Sequence, residues 1–176
     1  MDVRGEPVSF AEAIGLAEVE LVRLLDALRA QGSTVATAES LTAGAVCAAL
    51  TSVAESSAVV RGGLIVYASD LKSELAGVDP TLLAPHGAVH PEVAAALAVG
   101  ARSRCGATWG LGLTGVAGPD SQDDVLAGLV YVAACGPREP PTVRRLDCLG
   151  DRHQVRSAAA RGALRLLGDR LGAAAQ

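Results

Sequence analysis

The chain has 176 residues, half of them hydrophobic and only 2 % aromatic, with a formal charge of −4. That length suits one α/β domain with a core built mainly from Ala, Val and Leu. The acidic balance argues against a general nucleic-acid surface, and no apolar run approaches the roughly 18 residues of a membrane span.

The opening stretch, MDVRGEPVSF, lacks a basic start followed by an apolar run, so it is not read as a signal peptide. Residues 1–8 are expected to be mobile. Ser9-Phe10-Ala11-Glu12 has capping-box spacing, and Leu16, Val19, Val22, Leu25 and Leu28 continue a helical period. The pattern predicts one amphipathic helix closed by Gln31-Gly32. A strand over 34–38, a helix over 41–53 and a strand from Val59 to Val66 follow. A short helix after Ser69 and a one-turn piece at 80–84 come next. Pro91 suits the first position of a helix reaching about Cys105. Strands are expected at 108–113, 127–134 and 142–148, and Asp151 with Gln154 opens a helix over 152–172.

Strands that alternate with helices favour parallel pairing, whereas the last three strands arrive almost consecutively and favour antiparallel neighbours. The expectation is a mixed sheet with helices on both faces, in one domain over 9–173. Cys47, Cys105, Cys135 and Cys148 are scattered without a C-x-x-C pair, which fits buried thiols in a reducing cytoplasm.

The stretch TVATAESLTAG runs from strand into helix at Ser40. That serine is open to three readings: a helix cap, a phosphate contact or a nucleophile. Thr42, Ala43 and Gly44 would present backbone N–H groups at a helix start, which favours negative charge. Of fifteen basic residues fourteen are Arg, and the one lysine, Lys72, lies five residues after Tyr67. A desolvated Lys can lose its proton and act as a base, whereas Arg stays protonated. Ser69-Asp-Leu-Lys72 also has the S-x-x-K spacing of penicillin-binding enzymes, but a chain with one lysine cannot supply their K-T-G element. LGLTGVAGPD leads a strand into a Gly-rich turn whose glycines let a ligand approach the backbone and where Thr114 could donate a hydrogen bond. Arg152 and Arg156, four apart on a helix, could clamp an anion or form surface ion pairs. His86 and His90 are separated by Gly87 and followed by Pro91, so no metal site is expected.

Taken together, TAESLTAG (37–44), SSAVVRGGLIVYASDLK (56–72), LLAPHGAVHPEVAAALAVGAR (82–102), LTGVAGP (113–119), GLVYVA (128–133) and GDRHQVR (150–156) resemble the C-terminal domain of the CinA (competence/damage-inducible) family, the nicotinamide-nucleotide amidase domain, in its stand-alone form. The resemblance implies a three-layer α/β/α fold with a mixed, mostly parallel sheet, a homodimer or higher homo-oligomer, and no metal or organic cofactor. It implies deamidation of nicotinamide mononucleotide to the nicotinate nucleotide and ammonia, with a pyridine nucleotide as the small-molecule partner. Ser40 then corresponds to the family's catalytic serine, and Tyr67 and Lys72 to its tyrosine and lysine. Thr42, Ala43, Gly44, Thr114, Gly115, Gly118, Arg152 and Arg156 fall to substrate binding. The chain departs from the family pattern at Ala43, Ala68, Ser69 and His90. It departs most in the loop Asp120-Ser-Gln-Asp123-Asp124-Val-Leu126, which carries three carboxylates where relatives are Gly-rich with a lysine. That loop points to two alternatives: a binding module without turnover, or an amidase for a different amide.

Overall fold

The computed structural model describes residues 9–172. The expected mobile segment 1–8, and residue 173 of the expected domain, lie outside the described residues.

Ser9 and Glu12 form the capping box of α1 (Phe10–Ala13), as their spacing predicts. The single long helix is not observed. The chain leaves the helix at Ile14 and Gly15, where φ is +69°, and restarts as α2 (Glu18–Ala30). A left-handed glycine ends a helix without the penalty a Cβ would bring. The apolar period misled because Leu16 and the residues Leu21, Leu24, Leu25 and Leu28 face one core on both sides of the break.

Five strands form one sheet in the order β2-β1-β3-β4-β5. They are β1 (Val35–Glu39), β2 (Val60–Ile65), β3 (Trp109–Gly115), β4 (Leu129–Cys135) and β5 (Thr142–Asp147). β1 pairs parallel with β2 and β3, whereas β4 pairs antiparallel with β3 and β5. Only β4 opposes the common direction, so the sheet is mixed and mostly parallel.

Side chains alternate between two helical layers. Val35, Leu111, Leu113, Val130 and Val132 pack against α1, α2, α3 (Ala45–Thr51) and α7 (Arg152–Leu171). Ala36, Ala38, Val66 and Ala133 face the opposite layer of α4 (Ser69–Glu74), α5 (Pro80–His86) and α6 (Pro91–Arg104). Gly110 and Gly112 let α6 lie directly on β3, because a Cβ at either would collide with the carbonyl oxygens of Ala98 and Ala94. The chain departs from β1 to one neighbour through one layer and reaches the other through the opposite layer. The C-terminal ends of β1 and β3 therefore open a crevice, the usual ligand position in such sheets. Among the described residues no helix is long and apolar enough to cross a membrane.

Candidate active site

A cavity of about 730 Å³ sits at those strand ends. Ser40, Tyr67, Lys72, Thr114, Gly115, Gly118 and Arg152 line it, so seven of the eleven residues singled out in the sequence meet at one cavity. Thr42, Ala43, Gly44 and Arg156 do not. Leu41, Ser69, Ala88, Val89, Asp120, Ser121 and Gln122 complete much of the lining. Of these, Leu41, Ala88, Val89, Ser121 and Gln122 carried no signal of their own in the sequence.

Ser40 follows the last residue of β1 and is 8 % exposed. It is not the cap of α3, whose N-cap is Gly44 in a left-handed conformation. The expected helix over 41–53 therefore begins later, at Ala45, after a tight turn. Two features hold that turn. The Glu39 carboxylate accepts the N–H groups of Gly44, Val46 and Cys47 at 3.0, 3.1 and 2.9 Å. From the other side, Arg156 donates to the carbonyl oxygens of Leu41 and Thr42 at 3.0 and 2.9 Å. Both observations correct the sequence reading. The helix start already holds an anion from its own chain, and the Ala43 N–H donates to Ser40 O. Gly44 and Ala43 thus offer no free donor to a ligand, and Thr42 is wholly buried. Arg152 and Arg156 bond different segments and form no joint clamp.

Lys72 is 1 % exposed and counts among the largest fully buried side chains. Its Nζ donates to the carbonyl oxygens of Val66 at 3.0 Å and Tyr67 at 3.3 Å. Burial pushes its pKa down by disfavouring the ammonium form, and nearby Asp70 partly opposes that shift. Lys72 is thus desolvated, as a lysine acting as a base requires. Tyr67 is 58 % exposed, and its hydroxyl accepts from Arg152 at 3.1 Å. The same guanidinium donates to Gly118 O at 2.9 Å, so Arg152 ties the β2–α4 corner to the Gly-rich turn across the cavity. Thr114 is buried, and its hydroxyl hydrogen is committed to Ala88 O at 2.5 Å. It can accept from a ligand but not donate in this arrangement.

The profile of the CinA C-terminal domain matches residues 19–171. The chain belongs to that family. A CinA-like protein of Acidobacterium capsulatum is 46 % identical over 145 residues, covering 82 % of this chain and 35 % of the relative. One of Myxococcus xanthus is 44 % identical over 154 residues, covering 86 % and 36 %. The chain thus spans about a third of the length of the curated relatives it matches. Among solved structures, a competence-damaged protein (CinA) superfamily protein of Klebsiella pneumoniae superposes with a TM-score of 0.84 at 29 % identity, covering 88 % of this chain and 97 % of that one. The competence/damage-inducible protein CihA of Agrobacterium tumefaciens gives 0.83 at 33 % identity, covering 91 % and 96 %.

The loop 120–126, with three carboxylates, closes as a tight hairpin. Gln122 and Val125 exchange backbone hydrogen bonds at 3.0 and 2.8 Å. Asp123 and Asp124, with φ of 49° and 61°, form the tip between them. Positive φ at both central residues is the two-residue hairpin geometry that Asp tolerates. Only Asp120 of the three carboxylates lines the cavity; Asp123 and Asp124 do not. His90 uses Nδ1 to accept the Glu92 N–H at 3.3 Å and so caps α6, while its ring stacks on His86 at 4.2 Å.

Proposed function

We propose that this CinA domain hydrolyses the carboxamide of nicotinamide mononucleotide through an acyl intermediate on Ser40. The observation that carries the proposal is Lys72: the one lysine of the chain is buried at the cavity that Ser40 also lines, with its nitrogen on two backbone carbonyls. A neutral amine has two hydrogens for those carbonyls and one lone pair left to receive a proton. A guanidinium could not serve.

Lys72 takes the Ser40 Oγ proton as Oγ bonds to the amide carbon. The carbonyl electron pair moves onto oxygen, where the N–H of Leu41, the residue after the nucleophile, is the donor we assign. The tetrahedral intermediate collapses by breaking the C–N bond, and the Lys72 ammonium passes its proton to the leaving nitrogen, giving ammonia. Water then attacks the Ser40 ester, yields a proton to Lys72, and nicotinate mononucleotide departs as Ser40 recovers its hydrogen. Arg152, Tyr67, Thr114 and the Gly115–Gly118 turn hold the substrate. The scheme needs no metal or organic cofactor. Incubation of the purified protein with nicotinamide mononucleotide tests it: ammonia and nicotinate mononucleotide should appear in equal amounts.

A second reading rests on Asp120. Its carboxylate on the cavity wall disfavours a phosphate-bearing ligand and suits an amide of lower negative charge. Faster turnover of nicotinamide riboside than of the mononucleotide would select that reading, and binding of either without turnover would select the binding module.

A further inference from the structure

We infer that Glu39 is a positioning residue for Ser40, and that it is the built-in anion that closes the start of α3 to any other. The first half rests on the proposed role of Ser40; the second stands on geometry alone.

Glu39 is wholly buried at the end of β1, in a strand otherwise made of small and apolar residues and Thr37. Its Oε2 accepts the N–H groups of Gly44 and Val46, and its Oε1 accepts the Cys47 N–H and the Thr37 hydroxyl at 3.0 Å. A helix start leaves its first N–H groups without partners, and the cap residue Gly44 has no side chain to take them. Glu39 supplies the missing acceptor from five to eight residues upstream. Four donors on one carboxylate, three of them at a helix start, are charge-assisted bonds that offset the cost of burying it.

The turn between Glu39 and α3 contains Ala43 at φ +49°, which a residue with a Cβ adopts only when its surroundings impose it. Glu39 imposes it by gripping N–H groups beyond the turn, and Arg156 completes the grip on the carbonyls of Leu41 and Thr42. Ser40 is the peptide neighbour of Glu39, so any shift of that carboxylate moves the Ser40 hydroxyl. An external phosphate or oxyanion at the helix start would meet the buried negative charge and find its donors taken.

Replacing Glu39 by Gln keeps size but not bonding. Wherever its NH2 lies, at least one backbone N–H then faces another donor. In ammonia release from nicotinamide mononucleotide, Glu39→Gln should lower kcat about a hundredfold while KM stays within about twofold, as for a displaced nucleophile. Thr37→Val removes one of the four donors, keeps Glu39 and should lower kcat about tenfold in the same pattern. A separate arm needs no turnover. In the wild-type protein, titration with inorganic phosphate should leave the NMR amide signals of Gly44, Val46 and Cys47 unmoved, whereas in Glu39→Ala the same signals should shift. Unchanged kcat in folded Glu39→Gln and Thr37→Val would overturn the positioning role. Phosphate-dependent shifts at those amides in the wild type would overturn the closure. If the wild type releases no ammonia, the proposed function fails, while the titration still decides what Glu39 does to the helix start.

Discussion

Lys72 Nζ lies 3.0 Å from the carbonyl oxygen of Val66, inside the protein and at the edge of the cavity that Ser40 lines. A lysine held this way pays for its burial in charge. The folded protein, with the Lys72 pKa pushed down, binds fewer protons than the unfolded chain between the lowered value and the ordinary one of about 10.4. Stability contributed by this group therefore rises with pH across that window. Lys72→Met removes the effect, so it should be more stable than the wild type below the window, and the difference should shrink as pH approaches about 10.4. Urea unfolding of both proteins at a series of pH values between neutrality and that limit measures it.

The same contact distinguishes Lys72 from Tyr67, the other titratable side chain on the cavity, as the base. Lys72→Arg keeps the charge but not a lone pair, and it should lose about as much activity as Lys72→Met, roughly a thousandfold or more in kcat. Tyr67 is exposed and its hydroxyl accepts from Arg152, so Tyr67→Phe should cost only about tenfold, mostly in KM. Steady-state ammonia release by the three variants reads the order directly. A Tyr67→Phe loss larger than that of Lys72→Arg would transfer the base role to the tyrosine.

Asp120 is the carboxylate of the acidic loop that reaches the cavity. Asp120→Asn should lower KM for nicotinamide mononucleotide several-fold at low salt, with kcat nearly unchanged, because repulsion of a remote phosphate acts alike on ground and transition states. Nicotinamide riboside, lacking the phosphate, should show little change. Asp123→Asn and Asp124→Asn, at the hairpin tip, should leave both KM values as they were. These comparisons require only initial rates at two ionic strengths.

Arg152 spans from Gly118 O to the Tyr67 hydroxyl. Arg152→Lys retains charge but cannot hold both acceptors with a planar fork, so KM should rise about tenfold or more. A matching fall in thermal stability of only a few degrees would separate this loss of substrate positioning from a loss of fold.

Features written in neighbouring residues were legible in the sequence. The caps Ser9 and Asp151, Pro91 at the first position of α6 and the mixed sheet all follow from local spacing and element order. Tyr67, Lys72, Thr114 and Arg152 were legible as candidates through composition and motif resemblance, and the fold brings them to one cavity with Ser40. What was not legible depends on backbone dihedrals or on contacts far apart in the chain. Gly15 breaks the first helix because of its positive φ, which the apolar period does not register. The bonds from Arg156 to Leu41 and Thr42 join distant segments, so spacing along α7 could not reveal them. The choice of Asp120 over Asp123 and Asp124 depends on where a two-residue turn falls. For Glu39 a signal did exist: one acidic residue closing an otherwise small and apolar strand, just ahead of a helix that lacks a capping side chain.

If Ser40 attacks the amide carbon, ammonia release from nicotinamide mononucleotide must depend on its hydroxyl, which a comparison of the wild type with Ser40→Ala reads. Ser40 does not cap α3, so the substitution should change stability by only about 1 kcal/mol and leave a folded protein for comparison. The wild type should release ammonia steadily, in an amount equal to the nicotinate mononucleotide formed, and Ser40→Ala none above background. A folded Ser40→Ala that retains near-normal release would contradict that attack, as would a wild type that binds the nucleotide and releases nothing.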